Sequence, residues 1–296
     1  MTGYWSLLFP GEDPVEFSDD SGIFLRDDPE LQDYDIADQD VSLDGVDGTL
    51  FGVDTHGGAT FALTFGVVGS SPDDARDREG TLKLLWRGDS IRATPDAVAE
   101  LVSPRGRSSF GRPRRIATSD RRYFDYPASA DVGAEWRAAD PVWYGATRSA
   151  DVGLVASRSG GITTPLRVPL RVGIASGSRS VQFVVDSEIR TWPTIRIRGP
   201  IKSPTVLVIG PGGFRWQVSF PSLNLAYDDW VDLTTVPWNR GVVRRNSGGN
   251  VPLGAASSRF DAAYLEAGTY ELVLTGVSLS GSPRAFIEWR DAHSTP

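Results

Sequence analysis

The chain has 296 residues, 40 % of them hydrophobic, and carries 30 Lys and Arg against 38 Asp and Glu for a net charge of −8. That balance argues against nucleic acid as the main partner, because phosphate binding needs a basic surface. There is no cysteine, which excludes a disulfide scaffold, a thiolate metal site and a Cys nucleophile together.

The length exceeds what one typical core supports, so two domains are expected. The 32 glycines and 20 prolines imply many turns and suit an all-β protein. No apolar run approaches the roughly 20 residues that span a bilayer. The N-terminus lacks a basic region followed by an apolar one, so neither a membrane partner nor an ordinary export signal is expected.

In chain order, Tyr4, Trp5, Leu7, Leu8 and Phe9 before Pro10-Gly11 predict a short apolar strand. Residues 11–43 are acidic and aperiodic apart from Ile23-Phe24-Leu25, and read as an extended arm or long loop. Asp44-Gly45 and Asp47-Gly48 are tight-turn signals leading into Thr49–Val53 and the strong strand Ala59–Val68. Thr81–Ile91 reads as another strand. One helix is predicted over Pro95–Val102, with Thr94 as N-cap, Pro95 in the first turn and Pro104 as the stop. Further strands fall at Arg114–Ser119, Tyr123–Tyr126, Val132–Ala138, Trp143–Ala146 and Val152–Ala156.

A Gly/Ser/Thr-rich stretch between Ser157 and Thr164 is followed by strand candidates Leu166–Ile174 and Val181–Val185. The domain boundary is placed near there, giving units at 1–178 and 179–296. In the second unit, Thr194–Arg198, Val206–Ile209, Phe214–Val218, Tyr270–Leu274 and Ala285–Glu288 are short strands between Gly/Pro turns. Several alternate apolar with polar residues, the period of a strand with one buried and one wet face. A β-sandwich of this kind points to binding or assembly rather than chemistry, and no repeat of solenoid or propeller period is present.

Charge is unevenly spread. The acidic arm includes Asp19, Asp20, Asp27, Asp28, Glu30, Asp33, Asp35, Asp38 and Asp40, with Arg26 its lone base. From Arg105 to Arg122 the sign inverts through Arg105, Arg107, Arg112, Arg114, Arg115, Arg121 and Arg122 against Asp120. The two blocks either pair within the molecule or across copies of it, or are two solvated surfaces. Arg105, Arg107, Arg112, Arg114 and Arg115, with Asp33, Asp35 and Asp38, are the candidate subunit-interface residues.

Catalytic constellations are weak. His56 lies in a Thr-His-Gly-Gly segment read as a turn, His293 is near the end, and neither has a nucleophile motif beside it. The carboxylates that glycoside hydrolysis would use sit where no rigid apolar cradle is predicted. Asp33, Asp35, Asp38 and Asp40 offer hard oxygens for calcium, but the Gly and Glu spacing of a calcium loop is missing. Gly210-Pro211-Gly212-Gly213 has no Lys-Ser/Thr after it and reads as a hairpin turn. No enzyme, metal or cofactor is expected. Trp216, Trp230 and Trp238 are candidate glycan-stacking residues, against the ordinary alternative of core packing.

Three groups of residues together resemble the distal tail (Dit-like) protein of a long-tailed, siphovirus-type bacteriophage, of the kind labelled a minor tail protein in phages of actinobacteria. The first is Asp44–Gly48 with Gly52-Val53-Asp54 and Gly57-Gly58 before Ala59–Val68. The second is Trp192–Pro200 followed by Pro204-Thr205-Val206. The third comprises Val242–Asn246, Phe260, Leu265–Tyr270 and Ala285–Arg290. The resemblance covers roughly residues 40–292; the long acidic segment before Asp44 departs from it. It implies an N-terminal β-barrel-like, ring-forming domain with one helix and a C-terminal galectin-like β-sandwich. It also implies a homohexameric ring at the end of the tail tube, with the tube protein and tail-tip hub or baseplate proteins as partners. Such a protein is assembled in the host cytoplasm and resides in the virion tail tip. The alternative is a carbohydrate-binding β-sandwich module recognising host surface glycans.

Overall fold

The computed structural model describes residues 4–42, 49–154, 180–244, 248–278 and 282–296. They form two compact units, one of Met1–Gly145 with His293–Pro296 and one of Ala146–Ala292. The expected boundary at 178/179, the strand candidate Leu166–Ile174 and the Asp44–Gly48 turn signals lie outside the described residues.

The first unit contains β1 (Trp5–Leu8), β2 (Val15–Phe17), β3 (Ile23–Leu25), β4 (Glu30–Ala37), β5 (Val41–Ser42), β6 (Thr49–Leu50) and β7 (Thr55–Gly69). Helices α1 (Pro72–Arg87) and α2 (Asp89–Arg92) follow, then β8 (Ala99–Val102), β9 (Ser108–Arg122), β10 (Ala128–Ala138) and β11 (Trp143–Gly153), whose last residues belong to the second unit. The antiparallel order runs β7–β10–β9–β8–β1–β2, with β3 and β4 both on the free edge of β7. A lone bridge from Ser18 to Ile23 links β2 to β3. The sheet is therefore barrel-like in strand order without being a closed barrel.

The acidic segment is not a structureless arm, because β4 pairs with β7 from Glu30↔Ala62 to Ala37↔Thr55 and β3 pairs with it at Ile23↔Val67. Its partner lies dozens of residues away, so no local periodicity reveals the pairing. His56 correspondingly sits in strand β7 opposite Ile36 rather than in a turn.

The one long helix also falls elsewhere than predicted. Pro95–Val102 is a turn followed by strand β8, whose residues alternate buried and half-buried and pair with both β1 and β9. Thr81–Ile91, read as a strand, lies in α1 and α2. The terminal signals for α1 are all present. Ser71 accepts from Asp74 N at 3.1 Å, and Asp74 Oδ2 accepts from Ser70 N at 2.7 Å. Pro72 occupies the first turn, and Gly88, left-handed at φ 57°, closes the helix by donating to Leu85 O. Ala75, Glu79, Leu82 and Trp86 form the buried stripe at near-helical spacing. Gly69 lets the helix start directly on the sheet, since a Cβ there would lie 2.3 Å from Ala75 N.

Trp86 packs on Phe65 and Trp136, inside a core that also takes Leu7, Leu63, Ile91, Leu101 and Trp143. Glu79 is the exception on this stripe. Its side chain is 6 % exposed and receives Arg121 Nη2 at 3.2 Å, together with Lys83 Nζ and the hydroxyls of Thr118 and Tyr123. Burial opposes its ionisation, but the bonds from Lys83, Thr118 and Arg121 outweigh it and hold the carboxyl down at about 2.

The second unit contains β12 (Ser180–Val185), β13 (Thr194–Arg198), β14 (Ile201–Ile209), β15 (Arg215–Ser219), β16 (Asn224–Leu225), β17 (Trp230–Thr234), β18 (Gly241–Arg244), β19 (Gly268–Val277) and β20 (Arg284–His293). One sheet runs β18–β17–β13–β20 and continues into β11; the other runs β12–β19–β14–β15 with β16 on β14. Ile195, Ile197, Val231, Leu233, Ala285, Ile287 and Trp289 from the first meet Phe183, Val206, Val208, Trp216, Val218, Leu272 and Leu274 from the second in one core. This is the expected β-sandwich, and the strand segments predicted from alternation in this unit fall within β13, β14, β15, β19 and β20 or within one residue of them.

Glu79 has a folded pKa below the ordinary 4.5. Its contribution is therefore complete above the unfolded value and is lost as pH falls from there through about 2. Glu79→Gln is expected to destabilise the protein by about 3 kcal/mol at neutral pH. Urea unfolding of both chains at neutral and acid pH checks this: the difference between them must shrink on acidification.

Candidate functional site

The basic run resolves into engaged and free side chains. Arg107 donates to the Thr295 carbonyl and hydroxyl, each at 3.0 Å, and so fastens the last residues onto the first unit. Arg112 donates to Ala97 O at 2.6 Å and Thr94 O at 2.9 Å, pinning the turn before β8. Arg121 is spent on Glu79, and Arg122 pairs with Asp120 at 2.7 Å. Arg105, Arg114 and Arg115 are exposed and have no ion-pair or hydrogen-bond partner among the described residues.

The exposure of both Arg114 and Arg115 has a backbone cause. The β9–β10 register slips between Trp136↔Pro113 and Ala134↔Ile116, so these two arginines stand against the single residue Glu135. Such a bulge breaks alternation and tolerates Pro113, which lacks an N–H. Two adjacent cations thus face solvent where a regular strand would bury one.

On the acidic side, Asp38 is exposed just after β4 and has no partner among the described residues. Asp33 and Asp35 lie in β4, but their side chains are outside the described residues. Asp40 accepts from Gly52 N at 2.9 Å, and Arg26 pairs with Asp131 on β10. Among the described residues no three His, Asp or Glu side chains come together as metal ligands.

The same hairpins carry apolar side chains that sequence reading did not single out. Phe51 is 85 % exposed and Val53 74 %, beside the half-exposed Val41 and Leu50 of the β5–β6 hairpin. Phe124 is 89 % exposed and Tyr126 99 % in the turn joining β9 to β10, a stretch predicted as strand. These large apolar side chains are exposed beside β5 and β6 and in the β9–β10 turn of the first unit. The signal was available: Tyr123–Pro127 follows a charged run, interrupts alternation and ends in proline.

The candidate stacking residues separate cleanly. Trp216 is 2 % exposed in the sandwich core and its Nε1 donates to Arg259 O at 3.0 Å, so it presents no face to a sugar. Alternation along Arg215–Ser219 places it on the same side as Val218. Trp230 is half-buried at the edge of the opposite sheet's outer face, with the Arg196 guanidinium 5.8 Å from its ring. Trp238 is half-buried in the turn between β17 and β18. Gly210–Gly213 forms the tight turn between β14 and β15, as expected.

One acid is held in an unusual state. Burial pushes Asp140 up to about 7, against hydrogen bonds that lower it, including one from the Tyr144 hydroxyl at 2.5 Å; its other oxygen, Oδ1, is buried without a partner. Burial and the neighbouring Asp140 raise Tyr144 in turn, and Phe110 packs on its ring at 5.6 Å. Tyr144 stands opposite Ser108 across the β9–β11 pairing.

These features define a class: a mainly antiparallel β protein of two units, the first bearing exposed arginines, exposed aromatics on its strand connections and an exposed Asp38 after β4. No protein-family model and no characterised protein sequence matches the chain. Among solved structures, the Dit (gp 19.1) protein of phage SPP1 aligns over 98 % of this chain and 99 % of its own, with a TM-score of 0.56 at 16 % identity. A chain of the phage P2 baseplate, in its activated conformation with calcium, aligns over 100 % of both at a TM-score of 0.53 and 10 % identity. The protein has the Dit-like fold that the resemblance implied for roughly residues 40–292, and the alignment extends over 98 % of the chain.

Two measurements test the assignments. Trp216→Ala is expected to destabilise the chain by about 3–5 kcal/mol, and Trp230→Ala by well under half of that, read by chemical denaturation. Because the folded pKa of Asp140 lies above its ordinary 3.8, its ionisation opposes folding, and stability is lost as pH rises through about 7. Asp140→Asn should therefore stabilise the chain more at about pH 8 than at about pH 5. An equal effect at both would refute the neutral acid.

Proposed function

We propose that the chain is a structural virion protein that forms a homohexameric ring at the distal end of a phage tail tube. The ring joins the tube to the tail-tip hub or baseplate proteins. It is assembled in the host cytoplasm and carried at the tail tip. No catalysis and no cofactor belong to this reading.

The observation that carries it is the whole-chain likeness to SPP1 Dit, described as a paradigm of the hub adsorption apparatus in phages infecting Gram-positive bacteria. The alignment spans 98 % of this chain and 99 % of that one. The surfaces of the first unit fit the same role. A ring is built from heterologous contacts, in which one surface meets a different surface of its neighbour. The β5–β6 hairpin and its acidic flank, with Asp38, provide one such surface. The β9–β10 hairpin, with Arg114, Arg115, Phe124 and Tyr126, provides the other. Aromatic side chains supply most of the energy in such contacts, while the charges set partner choice and register.

Light scattering on the purified chain across about 50 to 500 mM salt tests this. A species near six times the 32.1 kDa chain, weakening as salt screens the charges, is the expected result. Arg114→Glu with Arg115→Glu should abolish that species at low salt while leaving the far-UV circular dichroism of the chain unchanged, because both side chains are exposed. Normal rings from the charge-reversed chain would refute the charge pairing. A monomer at every salt concentration would refute spontaneous ring formation.

A further inference from the structure

We propose that the outer face of the β13–β17–β20 sheet binds a neutral saccharide. A groove of about 370 Å³ lies on this face, near the low end of the roughly 300–1,000 Å³ typical of small-molecule sites. It lies wholly within the second unit.

The strand period builds it. Ile195, Ile197, Val231, Leu233 and Ile287 face the core, so Thr194, Arg196, Asp232, Phe286 and Glu288 face out. Register brings them together. Arg196 stands directly between Asp232 on β17 and Phe286 on β20, and Thr194 stands beside Glu288. Asn239, in the turn after β17, closes one end.

The chemistry of the lining selects the ligand. Arg196 donates to both oxygens of Asp232, at 2.6 and 3.1 Å, and this two-pronged bond fixes the pair across the groove floor. The carboxylate of Glu288 and the amide of Asn239 offer acceptors and donors side by side. Vicinal hydroxyls, each both donor and acceptor, match such an array. The Phe286 ring supplies an apolar face for the C–H side of a pyranose, with Trp230 beyond Arg196 at the rim.

Electrostatics excludes the anionic alternative. Arg196 and Asp232 offset each other, and among the described lining residues Glu288 adds a negative charge. Arg240, the cation following Asn239, is turned onto the Trp192 ring at 5.3 Å. A phosphate or an acidic sugar would meet repulsion; a neutral polyol would not.

The site stands whether or not the chain forms rings, so it is testable on the full chain in any assembly state. D-galactose, D-glucose, D-mannose, L-rhamnose and N-acetyl-D-glucosamine are titrated to about 50 mM, with N-acetylneuraminic acid and inorganic phosphate as anionic comparators. Tryptophan fluorescence and saturation-transfer NMR provide the readouts. A millimolar Kd for at least one neutral sugar is expected, as suits a ligand of about a dozen heavy atoms. Binding should weaken about tenfold in Asn239→Ala and in Glu288→Ala, each at an exposed position where folding is unaffected. No saturable signal from any neutral sugar would overturn the proposal, as would preference for either anion. Affinity unchanged in both variants would overturn it too, by placing the sugar elsewhere.

Discussion

The architecture of the first unit depends on one buried carboxylate. Glu79 sits on the core-facing stripe of α1, where a leucine would satisfy the helix pattern equally well. Burying it requires compensation, and the donors come from three places: Lys83 one turn along α1, Thr118 and Arg121 on β9, and Tyr123 in the turn after it. An apolar residue would pack against the sheet in several rotations and registers of nearly equal energy. A carboxylate with fixed donors accepts one. Helix α1 is thereby locked over β9, and the chain emerging at Tyr123 leaves in a set direction, carrying Phe124 and Tyr126 outward. The exposed tip is ordered because the charge beneath it is not exposed.

In the second unit the governing constraint is the two-residue period of a strand. Each sheet gives one set of alternate residues to a shared core and the other to solvent. Arg196, Asp232, Phe286 and Glu288 become neighbours only because β13 lies between β17 and β20 in that register. A slip of one residue would bury all four and expose Ile195, Ile197, Val231 and Ile287. Core and outer face are therefore specified by the same apolar residues.

What the sequence disclosed follows from the range of each interaction. Strands such as Thr194–Arg198 and Ala59–Val68 were legible because alternation is local. The β14–β15 turn was legible because Gly210–Gly213 needs only its own backbone. The acidic strands were not, because β4 is stabilised by the edge of β7 and its own residues carry no period. Helix α1 was missed for a different reason. Thr81, Leu82, Leu84, Leu85 and Trp86 read as an apolar strand when the Ser71-Pro72 start, ten residues upstream, is not joined to them across Gly80. Thr94-Pro95 imitates that start, but Asp96 at φ 58° leaves the helical region at once. Among the arginines, the run from Arg105 to Arg122 was plain, yet only pairing shows which members are spent. Arg107 and Arg112 serve carbonyls of their own unit, and the bulge at Pro113 frees Arg114 and Arg115.

At 16 % identity to SPP1 Dit, what the two chains share is a fold rather than a set of side chains. Physical reasons for such tolerance are visible here. Most core positions require only an apolar residue on the correct side of a strand, and many sequences meet that condition. The positions that resist substitution are of another kind: Gly69 under the start of α1, and Glu79 with its donors. Surface side chains are constrained least by folding. Arg114, Arg115 and Tyr126 are exposed, Phe124 meets the Arg76 guanidinium at 6.0 Å, and a fully exposed aromatic is a solubility liability in an isolated chain. Their exposure leaves them available to a partner without disturbing the core of the unit that bears them.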